Sequence, residues 1–222
     1  MSTNAISLEA NRASAQALLA CGAAAGPIYV VTGLAQALTR EGFDMRRHAL
    51  SQLSNGDLGW IQVTNFLVCG LLVLAGAWGA RRVLHPGRAG TWGPLLFAGY
   101  GVGLLGAAFF KADAGLGFPP GTPMEGTGIS THGLLHFVFG AIAFYSLIAA
   151  CFVFARRFAA TRERGWLAFS VFTGVFFFAA FGAIASGNAA PAVMLALYAA
   201  IFLAWAWHAL LSLKLRNDAV GS

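Results

Sequence analysis

Six apolar runs, none containing Asp, Glu, Lys or Arg, divide this chain and leave it few possible folds. They cover about Ala15–Leu38, Leu58–Ala80, Trp92–Phe110, Thr131–Ala155, Trp166–Ser186 and Pro191–Leu213. At a helical rise of ~1.5 Å per residue, each is long enough to cross a hydrocarbon core of ~30 Å. None alternates polar and apolar residues as a barrel strand must, and backbone in lipid has to satisfy its own hydrogen bonds. Helices are therefore expected. The first run is longer than the apolar core of a signal peptide and has no clear cleavage site after it, so it is read as a retained span. The expected fold is all-α: a polytopic bundle of six transmembrane helices. A tail over 1–14 precedes a single domain over 15–213, and a second tail covers 214–222. The longest connection, over 111–130, carries five glycines and three prolines, among them Gly126, and is expected as a flexible loop or lid.

Composition agrees. Hydrophobic residues are 58% of the 222 and charged residues 10%, whereas a soluble domain has ~25% charged. Too little polar surface exists to wrap a water-soluble particle, which excludes soluble enzymes and free nucleic-acid binders. Cys21, Cys69 and Cys151 all lie in apolar runs with no CxxC spacing, so neither a disulfide framework nor a zinc knuckle is expected. The net charge of +6 is not gathered on one face but split among short clusters between spans. With the N-terminus inside, Arg12, Arg81, Arg82, Arg88, Arg156, Arg157, Arg162, Arg164, Lys214 and Arg216 fall on one side. Only Arg40, Arg46, Arg47 and Lys111 fall on the other. That bias predicts that both termini are cytoplasmic.

Two familiar patterns lose their usual meaning in this setting. Gly101, Gly103 and Gly106 spell GxGxxG, but a dinucleotide fold needs that motif between a strand and a helix. Within a span, Gly99 and Gly103, like Gly22 and Gly26, predict close helix packing instead. Trp60, Trp92, Trp166, Trp205 and Trp207 stand near span ends and are expected to anchor at the interface, as is His208. His85 is expected to be solvated in a basic loop. No ionisable side chain is expected near the centre of any span.

The other histidines are gathered by the topology on the outer side. His132 and His136, four apart, share one side of the fourth helix. His48, Ser51, Gln52 and Asn55 form one stripe if residues 48–57 are helical, with Leu50 and Leu53 turned away; such an interfacial helix would present the stripe inward. Lys111 and Asp113 end the third span at the same level. A His pair at i, i+4 with a third His can form a zinc donor set, here His48, His132 and His136. Ser51 and Asp113 are then the candidate catalytic residues, acting with a metal-bound water. Without a metal, His48, Gln52, Asn55 and Lys111 would instead contact a polar ligand. A purely structural reading also stands, in which His132 caps its helix and His136 bonds a neighbouring one.

The run His48-x-Leu50-Ser51-x-Leu53-x-x-Gly56 into Gly59-Trp60, followed by His132-Gly133-x-x-His136, resembles a family of small, mainly bacterial and archaeal membrane proteins, domain of unknown function 998. The resemblance spans the chain from the first apolar run to the sixth. It implies a shared fold and a shared site at His48, Ser51, His132 and His136, with Asp113 as companion, and a bacterial inner-membrane location. The residue kinds are also similar to those of ceramidase-type and adiponectin-receptor-type membrane hydrolases, which have seven spans rather than six.

Three functions follow as expectations. The first is an outward-facing pocket binding a polar ligand, a lipid headgroup or a partner. The second is a zinc-dependent hydrolase acting on a lipid or other amphiphile at the outer leaflet. The third is a small transporter or a haem or quinone protein. Beyond the lipid bilayer, a small amphiphilic ligand and a membrane-protein partner or second copy are the expected partners. Nucleic acid is not among them.

Overall fold

The computed structural model describes residues 3–125 and 128–219; Gly126 and the ends of both tails lie outside them. Six helices, α1 (Thr3–Thr39), α2 (Gly59–Leu84), α3 (Arg88–Phe109), α4 (Thr131–Ala160), α5 (Arg164–Ala185) and α6 (Pro191–Asp218), are each long and apolar enough to cross a membrane. A short 3-10 turn over Leu50–Ser54 lies between α1 and α2. The expected N-terminal tail is itself helical, because α1 starts at Thr3.

Local chemistry explains several ends. Pro191 opens α6, where its missing N–H costs nothing. Ser130 caps α4 by accepting the Gly133 N–H at 3.0 Å. α2 stops just before His85-Pro86.

Each helix packs on its neighbour in sequence, and α6 returns against α1 to close a ring. Small residues set the closeness of these contacts. A Cβ at Gly106 would fall inside the Phe139 ring, and one at Gly22 would meet the Gly76 backbone. Gly99 and Gly103 likewise face Ser146 and Ala143 of α4, so the GxGxxG segment is a helix-packing surface, as expected from its position mid-span.

One half of the ring is filled and the other is hollow. Trp207 is fully buried (0% exposed), donates its indole N–H to the Ser170 hydroxyl at 2.9 Å, and packs against Phe97 and Phe154. His208 beside it is also buried, against Phe97 at 4.7 Å between ring centroids, and Trp205 stacks on Tyr29. The interfacial expectation is therefore wrong for Trp205, Trp207 and His208. α6 runs on to Asp218, which puts these residues at its middle, inside the ring. An ionisable side chain does stand at the centre of a span. Trp60 and Trp92, by contrast, are 63% and 59% exposed near helix starts.

The end holding the 3-10 turn and segment 110–130 is the loop end below; the other, with Arg81, Arg82, Arg88, Arg156 and Arg157, is the basic end. At the loop end, residues 111–125 are an ordered knot, not a free lid. Gly115 and Phe118 exchange backbone hydrogen bonds at 3.1 Å, and the Gly117 N–H bonds the Pro123 carbonyl. Phe118 is buried against Phe43 and His48, with the Arg40 guanidinium over its ring at 4.8 Å.

Candidate functional site

His48 is the most tightly held residue of the first connection. Its ring is fully buried; Nδ1 accepts the Asp44 N–H at 2.9 Å and Nε2 donates to the Leu116 carbonyl at 2.9 Å. A carbonyl can only accept, so Nε2 carries the proton and the ring is neutral. The His48 carbonyl accepts the Tyr198 hydroxyl at 2.7 Å. One residue thus ties the first connection to the second and to α6, and neither nitrogen keeps a lone pair for a metal.

The stripe predicted around His48 is split: His48 is buried and Ser51 borders a cavity, but Gln52 and Asn55 turn to the second connection. Leu50 and Leu53 are the buried residues of the turn, whereas Ser51, Gln52 and Asn55 are partly exposed. A 3-10 turn of five residues places Leu50 and Leu53 together on one side, and apolar burial decides which side faces in. Gln52 and Asn55 fasten backbone. Gln52 reaches the Asp113 carbonyl at 3.4 Å and Asn55 the Ala112 carbonyl at 3.0 Å.

Asp113 braces the residue that caps α4. Its carboxylate accepts the Ser130 N–H at 2.9 Å and the Ser130 hydroxyl, and Ser130 in turn caps α4. The approach is close enough that a Cβ at Gly133 would overlap the carboxylate. His132 is exposed and packs on Phe110; Lys111 is exposed. His136 donates Nδ1–H to the Phe110 carbonyl at 2.7 Å, the interhelical bond that the structural reading of this residue required.

Of these residues, Ser51 and His136 line one cavity. It measures about 140 Å³ and occupies the loop half of the ring, with walls from all six helices. Tyr29, Phe66, Tyr100, Phe177, Tyr198 and Trp205 give it an aromatic interior, and Ala49, Leu50 and Ser51 close the loop end. The roof is thus the 3-10 turn, not the Gly/Pro-rich connection, whose Phe118 packs further out on His48 and Phe43. Because Nδ1 of His136 carries the proton, Nε2 is left as an acceptor with no donor bonded to it among the described residues, and the Ala107 backbone also lies against the ring.

Other polar residues of this region escaped the sequence reading. Arg40 donates to the Leu53 and Asn55 carbonyls at 2.5 and 2.6 Å, fixing the 3-10 turn over the cavity. Burial lowers the pKa of its guanidinium, and Asp57 opposes that shift. Gln36, Gln62, Asn65 and Cys69 form a buried hydrogen-bonded ladder between α1 and α2. The signal was present, since positions 62, 65 and 69 share one helical face.

A ring of six apolar helices around an aromatic cavity defines a multi-pass helical membrane protein, a class with no single chemistry. The chain belongs to the family described as a protein of unknown function, DUF998, whose model matches residues 23–214. Comparison with curated proteins and with solved structures returns no match. The likeness to ceramidase-type hydrolases finds no support. Among the described residues, no three His, Cys, Asp or Glu side chains are grouped to hold a metal.

Proposed function

We propose that this protein binds the apolar portion of a small amphiphile in its bundle cavity, with the polar group held by Ser51 and His136. What carries the reading is the pairing of an aromatic interior with an unused acceptor, His136 Nε2, in one cavity of about 140 Å³. A dry cavity of ~150 Å³ accepts a benzene-sized guest. Each methylene moved there from water contributes about 0.8 kcal/mol. The ligand class is therefore a ring or medium-length chain bearing a hydroxyl or similar donor. On this reading the cavity opens toward the outer face of a bacterial cytoplasmic membrane. The support is the charge bias, with ten of the fourteen Lys and Arg residues on the side of the basic end.

The probe is a medium-chain alkanol bearing a photoactivatable diazirine, with labelled peptides mapped by mass spectrometry. Labelling of Tyr100 and Tyr198 is expected, competed by unlabelled alkanol and lost in Gly140→Phe, whose new ring enters the cavity. Gly140 suits this purpose because it lines the cavity and a Cβ there meets open space. Labelling confined to outward residues such as Phe172 and Phe178, and unchanged in Gly140→Phe, would sink the proposal. For orientation, a cysteine at Met124 should react with an impermeant reagent from outside intact cells, and one at Ala159 should not.

A further inference from the structure

A second recess lies at the basic end, remote from the cavity. It sits between the turn that joins α2 to α3 and the last turns of α4, and its volume is about 300 Å³. Arg88, Arg156 and Arg157 line it over an apolar floor that includes Leu84, Val153 and Ala160. No carboxylate lines it. Three guanidinium groups therefore line one concavity with no carboxylate among them, Glu163 acting on Arg157 only from outside it, and their mutual repulsion is relieved when an anion joins them.

The neighbouring basic residues are spent differently. Lys214 is paired with Glu163 at 2.8 Å and with Asp218 at 3.3 Å. Arg81 donates to the Gly90 carbonyl and the Thr91 hydroxyl, and Arg82 to the Ser14 hydroxyl. Among the described residues, Arg88, Arg156 and Arg157 make no ion pair and no side-chain hydrogen bond. α3 also begins here without a side-chain cap, so the partial positive charge of its first turn adds to the same field.

Depth points to the ligand. The three arginines stand where apolar helix gives way to polar connection, the level of lipid phosphates in a bilayer, while Val153 lies one turn further in beside apolar surface. A free anion would use the guanidinium groups and leave the apolar floor bare. A phospholipid would use both. We infer that this recess is a binding site for the headgroup of an anionic phospholipid, its phosphate held by Arg88, Arg156 and Arg157 and the start of an acyl chain laid on Val153 and Ala160.

The test is thermal unfolding of the detergent-purified full chain, titrated with phosphatidylglycerol, phosphatidylcholine or inorganic phosphate. Phosphatidylglycerol should raise the midpoint, and the other two should not. Each basic side chain near an anionic headgroup contributes about fivefold, so Arg88→Gln with Arg156→Gln and Arg157→Gln should weaken the apparent affinity on the order of 100-fold. Arg12→Gln with Arg46→Gln and Arg216→Gln removes the same charge elsewhere and should retain near wild-type affinity. Ala160→Trp keeps every arginine but fills the recess, and should also abolish the phosphatidylglycerol shift, a result that does not depend on the triple variant folding. Equal response to phosphatidylcholine, a matching response to inorganic phosphate, or undiminished binding by Ala160→Trp would each overturn the assignment.

Discussion

Two buried histidines show how differently one residue type is used here. His48 has both ring nitrogens bonded to backbone and anchors three segments. His208, equally buried, meets the Gly22 backbone, but neither nitrogen makes a hydrogen bond of good geometry among the described residues. Their substitutions should act in opposite directions. His48→Ala removes two buried hydrogen bonds and leaves a void beneath Phe118, a loss of about 2–4 kcal/mol. His208→Leu replaces unsatisfied polar atoms with apolar ones and should stabilise by about 1 kcal/mol. Thermal midpoints in one detergent read both, and a lower midpoint for His208→Leu would mean that its nitrogens serve a bonded role. That His48 is special was legible in its spacing from Ser51 and Gly56. That its specialness is structural was not, since its partners Leu116 and Tyr198 lie 68 and 150 residues away.

Helix pairing rests on where glycines replace bulk. On α3, Gly106 lets Phe139 of α4 lie against backbone, so Gly106→Leu overpacks the pair and should cost about 1–3 kcal/mol or more. Gly140, one residue past Phe139, faces the cavity, so Gly140→Ala should be neutral or gain about 1 kcal/mol from helix propensity. Urea or thermal unfolding of the two variants side by side checks the contrast, and equal losses would disprove it. Both glycines sit in apolar runs and look alike in sequence. Only the neighbouring helix distinguishes a contact from a void.

Acid response belongs to the whole molecule, because carboxylates fasten both ends. At the loop end the Arg46 N–H, ahead of the Arg47 and Arg46 charges, holds the Asp44 carboxyl below its usual range. At the basic end the hydrogen bond from Lys214 does the same for Glu163. A carboxyl whose pKa is lowered on folding stabilises the fold above its unfolded pKa, near 4, and that share is lost as pH falls through the folded value. Thermal midpoints should therefore drop below about pH 4, and the drop should be shallower in Asp44→Asn with Glu163→Gln. An unchanged profile in the double variant would show that neither carboxylate contributes.

Helix number, approximate span positions and the sidedness of charge were determined by the sequence alone. A charge-free run of twenty residues has one low-energy state in lipid, and that constraint is local and strong. The fate of each polar residue was decided only by tertiary structure. Whether Ser51 faces a cavity, whether Asp113 holds the cap of another helix, and whether Trp207 lies in an interface or a core depend on which groups other helices bring within about 3 Å, the reach of a hydrogen bond. Spacing along one helix shows which residues share a face; it does not show what that face meets. In this ring the meeting leaves an aromatic cavity at one end and, at the other, three arginines in one recess with no ion pair among the described residues.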